Sequence, residues 1–451
     1  MIQLTDNFNS FNYKDTKYIE ISKNKRAIGN HFHITLKDYK DDTKNFILFK
    51  SEDSEDELII SIKKTQIENE DKYTAQTGNY VGRFRFNGVD IDIKSRFSDI
   101  FLKRMLNFAN DVYLDDVDVS GKVTKEEDID YSKFILYYLF IQTLEKAFLL
   151  GLPKSYTTIK HHDMKLKGNV DINRFIKHDI PFRGKISSVS REQKEIQEIV
   201  DILYKTVAII EKSNQISTKN ISHIKSHLKQ HKSNNFVSNQ TIQKALNSKA
   251  LNNPIFAPYK KVLEYAKYII NANSLEQNNG KEKTYGFVVN VAMLFEIYMT
   301  KLLRKEFSEW DVSSPKIELY KSNFFKRRII PDIVMKKDNK VLVFDTKYKK
   351  MIFNERNQYG AGDVDRNDFF QINTYMAYYQ QSAYELVAGG LLYPMEKLYD
   401  ESKCFSDSWL GNNHIKFIVD GIELKKLSHQ KSIHCREKRF IERVQKLINK
   451  R

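Results

Sequence analysis

The chain has 451 residues, 41% hydrophobic and 12% aromatic, which is enough apolar material for sizeable cores and more than one ordinary domain. Only 16 glycines and 7 prolines argue against a collagenous or linker-dominated chain, and two cysteines exclude a disulfide framework or a Cys-rich zinc module. Lys and Arg number 74 against 58 Asp and Glu, a formal charge of +16 that favours polyanionic partners, nucleic acid first; a Lys- and Asn-rich composition would give the same excess.

No run of 18 apolar residues and no charged-then-apolar leader occurs, so a soluble, cytoplasmic chain without membrane contact is expected. Residues 1–125 read as a β-rich domain, with short strands at Ile19–Ile21, Phe32–Leu36 and Leu58–Ile62. The clearest signal is a hairpin in which Phe84, Phe86, Val89, Ile91 and Ile93 alternate on either side of Asn87-Gly88, a turn that favours positive φ. Asp90 and Asp92 fall on its polar face and are expected to be solvated.

Residues 126–280 read as a helical region. One apolar face runs from Phe134 to Leu149 and stops at Gly151-Leu152-Pro153; a second amphipathic helix spans Glu192 to Glu211. Leu166–Ile172 between them reads as short and irregular or extended. Residues 212–250 carry seven lysines and no acid, which suggests an exposed basic helical hairpin or loop. His223, His227 and His231 stand four apart within it. Lysines and serines flank them, so a solvated face is expected rather than a metal clamp.

Residues 281–451 read as a third, α/β domain, making the whole an α+β or α/β multidomain chain. A helix from Phe287 to Phe307 precedes strands at Lys316–Tyr320, Ile329–Met335 and Val341–Lys347. A helix from Asp368 to Gln381, strands at Gly389–Tyr393 and Ile415–Val419, and a basic terminal helix with Phe440, Val444 and Leu447 on one face complete it.

Chemistry concentrates at Pro331-Asp332 and Asp345-Thr346-Lys347. Asp345 and Lys347 are two apart on a strand and project together, and a hairpin would set Asp332 beside Asp345. Two carboxylates with the Thr346 backbone carbonyl make an oxygen-rich site suited to Mg2+, and Lys347 can position water or offset developing negative charge. Glu296 is an odd carboxylate in an apolar helix and needs such a partner. Gln371 and Tyr375, four apart, share a helix face that can reach the lysine or a phosphate.

This block resembles the PD-(D/E)xK nuclease motif, with Asp332, Asp345 and Lys347 on the motif positions, Glu296 on the helix acid, and Gln371 to Tyr375 similar to the QxxxY element of RecB-like nucleases. Nearly the full length resembles the McrC family, nuclease subunits of McrBC-type restriction systems, and its LlaJI-type relatives. Val343–Lys349, Asp368–Tyr375, Tyr80-Val81-Gly82, Ile91–Lys94 and Leu166–Asp171 carry that likeness. Ser95-Arg96 departs from it, standing where a proline is expected. The resemblance implies a restriction-endonuclease-like C-terminal domain and a Mg2+-dependent endonuclease acting on double-stranded DNA. It also implies a McrB-like AAA+ GTPase hexamer, engaged by the N-terminal and middle regions, as partner. With no GxxxxGK[ST] loop, GTP enters only through that partner. The alternatives are an autonomous RecB-like repair nuclease, or a non-catalytic DNA-binding activator of the GTPase.

Overall fold

Short alternating strands build the N-terminal part: β1 (Ile2–Thr5), β2 (His31–Thr35), helix α1 (Leu36–Asp41), β3 (Asn45–Leu48), β4 (Leu58–Ile67), β5 (Glu70–Thr77), β6 (Tyr80–Phe86), β7 (Val89–Lys94) and helix α2 (Asp99–Ala109). The computed structural model describes residues 2–10, 18–19, 21, 28–41, 45–48, 56–67, 70–109, 131–213, 216–277, 286–321, 326–349, 364–395, 405–424 and 430–449. Of the strand expected at 19–21, Ile19 forms a single bridge to Tyr73, and Glu20 lies outside the described residues. The hairpin forms as expected: Asn87 and Gly88 take φ of 47° and 78°, and β6 pairs antiparallel with β7. Asp90 pairs with Arg85 at 2.7 Å. Asp92, however, is buried, because both faces of β7 are covered.

Residues 118–283 form one compact unit. It contains α3 (Tyr131–Phe148), β8 (Lys154–Asp163), β9 (Asn169–Val170), α4 (Ile172–His178), β10 (Ile186–Glu195), α5 (Gln197–Ser213), α6 (Ser222–His231), α7 (Asn239–Leu246) and α8 (Pro258–Gln277). Gly151 follows α3 with φ of 79°, the left-handed turn expected at a helix end. The helix expected from Glu192 begins at Gln197, because residues 192–195 extend β10 along β8. The basic stretch is helical as expected but well seated: Ile221, Ile224, Leu228 and Ile242 are buried among its lysines. The β8–β10–β9 sheet and α4 differ in kind. α4 buries no side chain, and Met164, Leu166, Ile176 and Phe182 are all more than half exposed.

The remaining elements are β11 (Gly286–Asn290), α9 (Val291–Glu306), β12 (Asp311–Ser313), β13 (Ile317–Lys321), β14 (Lys326–Ile329), β15 (Ile333–Lys337), β16 (Lys340–Thr346), α10 (Arg366–Gln380), β17 (Glu385–Met395), β18 (Phe405–Trp409), β19 (Asn412–Glu423) and α11 (Gln430–Asn449). The helix expected from Phe287 starts four residues later. Gly286–Asn290 is instead a strand between β6 and β3 in the order β1-β7-β6-β11-β3, and the Asn290 side chain caps α9 by accepting from the N–H groups of Ala292 and Met293. The pairing of β11 with β6 runs across the boundaries expected at 125 and 281. Residues 1–117 and 284–451 make one compact unit, since β6 needs a partner on its second edge and β11 supplies it.

A six-stranded mixed sheet, β12-β15-β16-β17-β19-β18, dominates the second half of that unit, with β16, β17 and β19 parallel. Val341 and Val343 pack with Ile372, Tyr375 and Met376 of α10, while Leu342 and Phe344, pointing the other way, are equally buried. A Cβ at Gly389 would meet the Met376 side chain at 2.6 Å, so a larger residue there would require that side chain to move where α10 packs on β17. The terminal helix docks through Phe440 and Val444 as expected. It adds a buried polar clamp: Glu437 accepts two hydrogen bonds from Arg104 of α2, at 2.6 and 2.8 Å, and one from the Tyr298 hydroxyl of α9 at 2.7 Å. No helix among the described residues is long and apolar enough to cross a membrane.

Candidate active site

The β15–β16 hairpin pairs Ile333 with Phe344, which sets Asp332 opposite Asp345 one step beyond the last paired residues. Asp332 is fixed by the next residue along β16: the backbone N–H and hydroxyl of Thr346 both donate to its Oδ2 at 2.7 Å. Asp345 is fully buried, and neither of its oxygens accepts a well-directed hydrogen bond. The Lys347 ammonium lies 2.7 Å from its Oδ2, close but not in hydrogen-bond geometry. Lys347 is held elsewhere, donating to Gln371 Oε1 at 2.8 Å, while the Gln371 amide donates to the Tyr375 hydroxyl at 2.8 Å.

Electrostatics tie Glu296 to the same point. Burial, then repulsion from Asp332 and Asp345, pushes the Glu296 carboxyl up to about 7 against the pull of Lys347. Burial followed by Asp332 lifts Asp345 to about 7, again opposed by Lys347. Asp332 is raised by burial, which outweighs its bonds from Thr346. Burial alone would lower the Lys347 ammonium, but Asp345, Asp368 and Asp332 together hold its proton more tightly than usual. Three acids thus share a poorly solvated place with one committed cation, a surplus of negative charge that a divalent cation would relieve.

All six residues named from the sequence, Glu296, Asp332, Asp345, Lys347, Gln371 and Tyr375, belong to this one neighbourhood. Two further contributors were missed. Asp368, buried in the first turn of α10, lies 3.8 Å from the Lys347 ammonium and accepts from Lys349 at 2.9 Å. Its place three before Gln371 and seven before Tyr375 puts it on their helix face, a spacing that could have revealed it. The other is Arg96. Its backbone N–H donates to Asp6 at 2.5 Å, its guanidinium donates to the Tyr348 carbonyl, and it lies 4.8 Å over the Tyr348 ring. A proline in place of Arg96 would lack both the N–H that donates to Asp6 and the guanidinium that donates to Tyr348, so the departure at Ser95-Arg96 has a local use: it pins the residue after Lys347.

The fold and site define a class: a multidomain α/β protein whose mixed sheet delivers buried carboxylates and a lysine to one point. The family model described as McrBC 5-methylcytosine restriction system component matches residues 75–394. This chain belongs to that family. The Type IV methyl-directed restriction enzyme EcoKMcrBC of Escherichia coli strain K12 is 28% identical over 148 residues, 30% of this chain, which spans about two fifths (41%) of that relative. A solved assembly of Thermococcus gammatolerans McrB AAA+ hexamers with bound McrC contains a chain of the same fold, with a TM-score of 0.59 and 17% identity over 99% of each chain.

Proposed function

We propose that this chain is the DNA-cutting subunit of an McrBC-type restriction system: a Mg2+-dependent PD-(D/E)xK endonuclease that works with a McrB-like AAA+ GTPase hexamer and stimulates its hydrolysis. The observation that carries the reading is Asp345, whose two buried oxygens lack directed hydrogen bonds while Asp332, Glu296 and an oriented lysine surround them. Clustered buried acids with a single ammonium beside them are costly and suit a divalent ion. Asp332, Asp345, Glu296 and the Thr346 carbonyl are the oxygen ligands available to it. Bound there, Mg2+ supplies charge that offsets a phosphodiester and eases deprotonation of water.

The chain's own residues do the remaining work. Thr346 holds Asp332 in one rotamer by two bonds, and Gln371, steadied by Tyr375, holds the Lys347 ammonium beside Asp345. Lys347 keeps its proton and presents it where negative charge grows on the phosphoryl oxygens as water attacks phosphorus. The net charge of +16 favours approach of double-stranded DNA through its backbone, without base specificity. The exposed apolar side chains of β8, α4 and the segment between α4 and β10 are the natural surface for the protein partner, since a patch of this kind facing water implies a covering protein.

Plasmid cleavage in Mg2+ tests the reading, with the chain alone and then with its GTPase partner and GTP. Cutting only in the complete mixture, lost in Asp345→Asn, is expected. Cutting by the chain alone would replace this reading with an autonomous RecB-like repair nuclease. Faster GTP hydrolysis without any cutting would leave a non-catalytic activator.

A further inference from the structure

A second cluster with metal-binding chemistry lies within the 118–283 unit. Glu195 ends β10, and α6 presents His227 and His231 one turn apart. Each residue offers one ligand atom, and these atoms lie within 4.8 Å of one another. His227 Nε2 is 2.9 Å from Glu195 Oε1, and the two imidazoles stack with centroids 4.4 Å apart. His231 Nδ1 donates to the His227 carbonyl at 2.9 Å, which fixes its tautomer and leaves the Nε2 lone pair available. An outer hydrogen bond of this kind to a backbone carbonyl is what orients metal-ligating histidines. Glu195 Oε2 is buried without a hydrogen-bond partner.

A Glu–His ion pair explains one oxygen and one ring. It explains neither the second ring nor the solitary Oε2. The frame is firm. Phe148 packs edge-on against His227, and Gln197 of α5 donates to the His231 carbonyl at 2.9 Å. Asp201 accepts from Ser233 just beyond α6 at 2.6 and 2.7 Å. The acid beside these histidines comes from 32 positions upstream of His227, while His223 stands outside the cluster.

We propose that Glu195, His227 and His231 form a site for a zinc-type divalent transition ion, with a further position left to water, that staples α6 to the end of β10. Two imidazoles and one carboxylate suit Zn2+ far better than Mg2+, whereas the all-oxygen set around Asp345 has the opposite preference. Because β10 pairs with β8 along its whole length, the staple stiffens the base of the exposed sheet.

The test uses the full-length protein, stripped with chelator and kept in excess Mg2+ so that the carboxylate centre does not compete. Titration with Co2+ should give one equivalent with the visible absorption of a four- or five-coordinate ion, displaced by Zn2+, and Zn2+ should raise the thermal midpoint. His231→Ala removes an exposed ligand but leaves the Glu195–His227 pair; it should weaken zinc binding at least about tenfold with an unchanged circular dichroism spectrum. His227→Gln should do the same. Absence of Zn2+ binding, or native affinity in both variants, overturns the proposal.

Discussion

Asp345→Asn separates the stability of the acid–lysine centre from its chemistry. Asparagine keeps the shape and removes a charge that burial and Asp332 oppose. A carboxyl whose pKa is higher in the folded than in the unfolded chain holds its proton more tightly when folded. Its contribution is therefore complete below the unfolded value and is lost as the pH rises through the folded one. For Asp345 the loss runs from near 3.8 up through about 7. Each tenfold change in proton affinity is about 1.4 kcal/mol, so the ceiling at alkaline pH is on the order of 4 kcal/mol, shared with Asp332 and Glu296. Lys347 loses a neighbour at 2.7 Å but retains Gln371 at 2.8 Å and Asp368 at 3.8 Å. In chelator-treated protein, Asp345→Asn should raise the thermal midpoint above pH 7 by several degrees and flatten its decline with pH. Mg2+ should raise the midpoint of the native protein and not that of the variant. A variant less stable than the native chain without metal, or one that still responds to Mg2+, would refute the reasoning.

Lys347→Ala should slow cleavage by about a hundredfold or more with little change in DNA affinity, and Lys347→Arg should not restore it, because the broad guanidinium cannot replace a compact ammonium held by Gln371; single-turnover cleavage with a parallel binding assay decides. Glu437→Ala strands the buried Arg104 and should cost about 3–5 kcal/mol in urea unfolding. Ile176→Asp and Phe182→Asp, on side chains 61% and 62% exposed, should change stability by no more than about 0.5 kcal/mol, yet reduce partner-stimulated GTP hydrolysis measured by phosphate release.

The acid–lysine centre was legible because its spacing is local. A strand places Asp345 and Lys347 together, and the tight turn at Asp338-Asn339 brings Asp332 opposite, so short-range geometry decides nearly everything. The Asn87-Gly88 hairpin was legible for the same reason. Long-range assembly was not. Gly286–Asn290 is apolar and continuous with α9, so periodicity alone extends the helix back over it, and its true role depends on β6, some 200 residues earlier. Lys154–Asp163 hid for another reason: with most of its side chains in solvent, it carries no apolar alternation to read. Glu195 escaped because it sits at the joint of β10 and α5, where a single helix from Glu192 had been expected.

The position of β11 has a consequence for how the protein is made. Until Gly286–Asn290 leaves the ribosome, β6 has one edge unpaired and β3 has no neighbour in the sheet. Synthesis of the intervening residues 118–283 at about 5–20 residues per second takes roughly 10–30 s. A fragment that stops short of β11 therefore leaves an open strand edge as a nascent-chain liability. The intervening unit has already emerged before Asp345 is translated, so no ribosome releases the acid–lysine centre without the unit that carries the exposed apolar sheet.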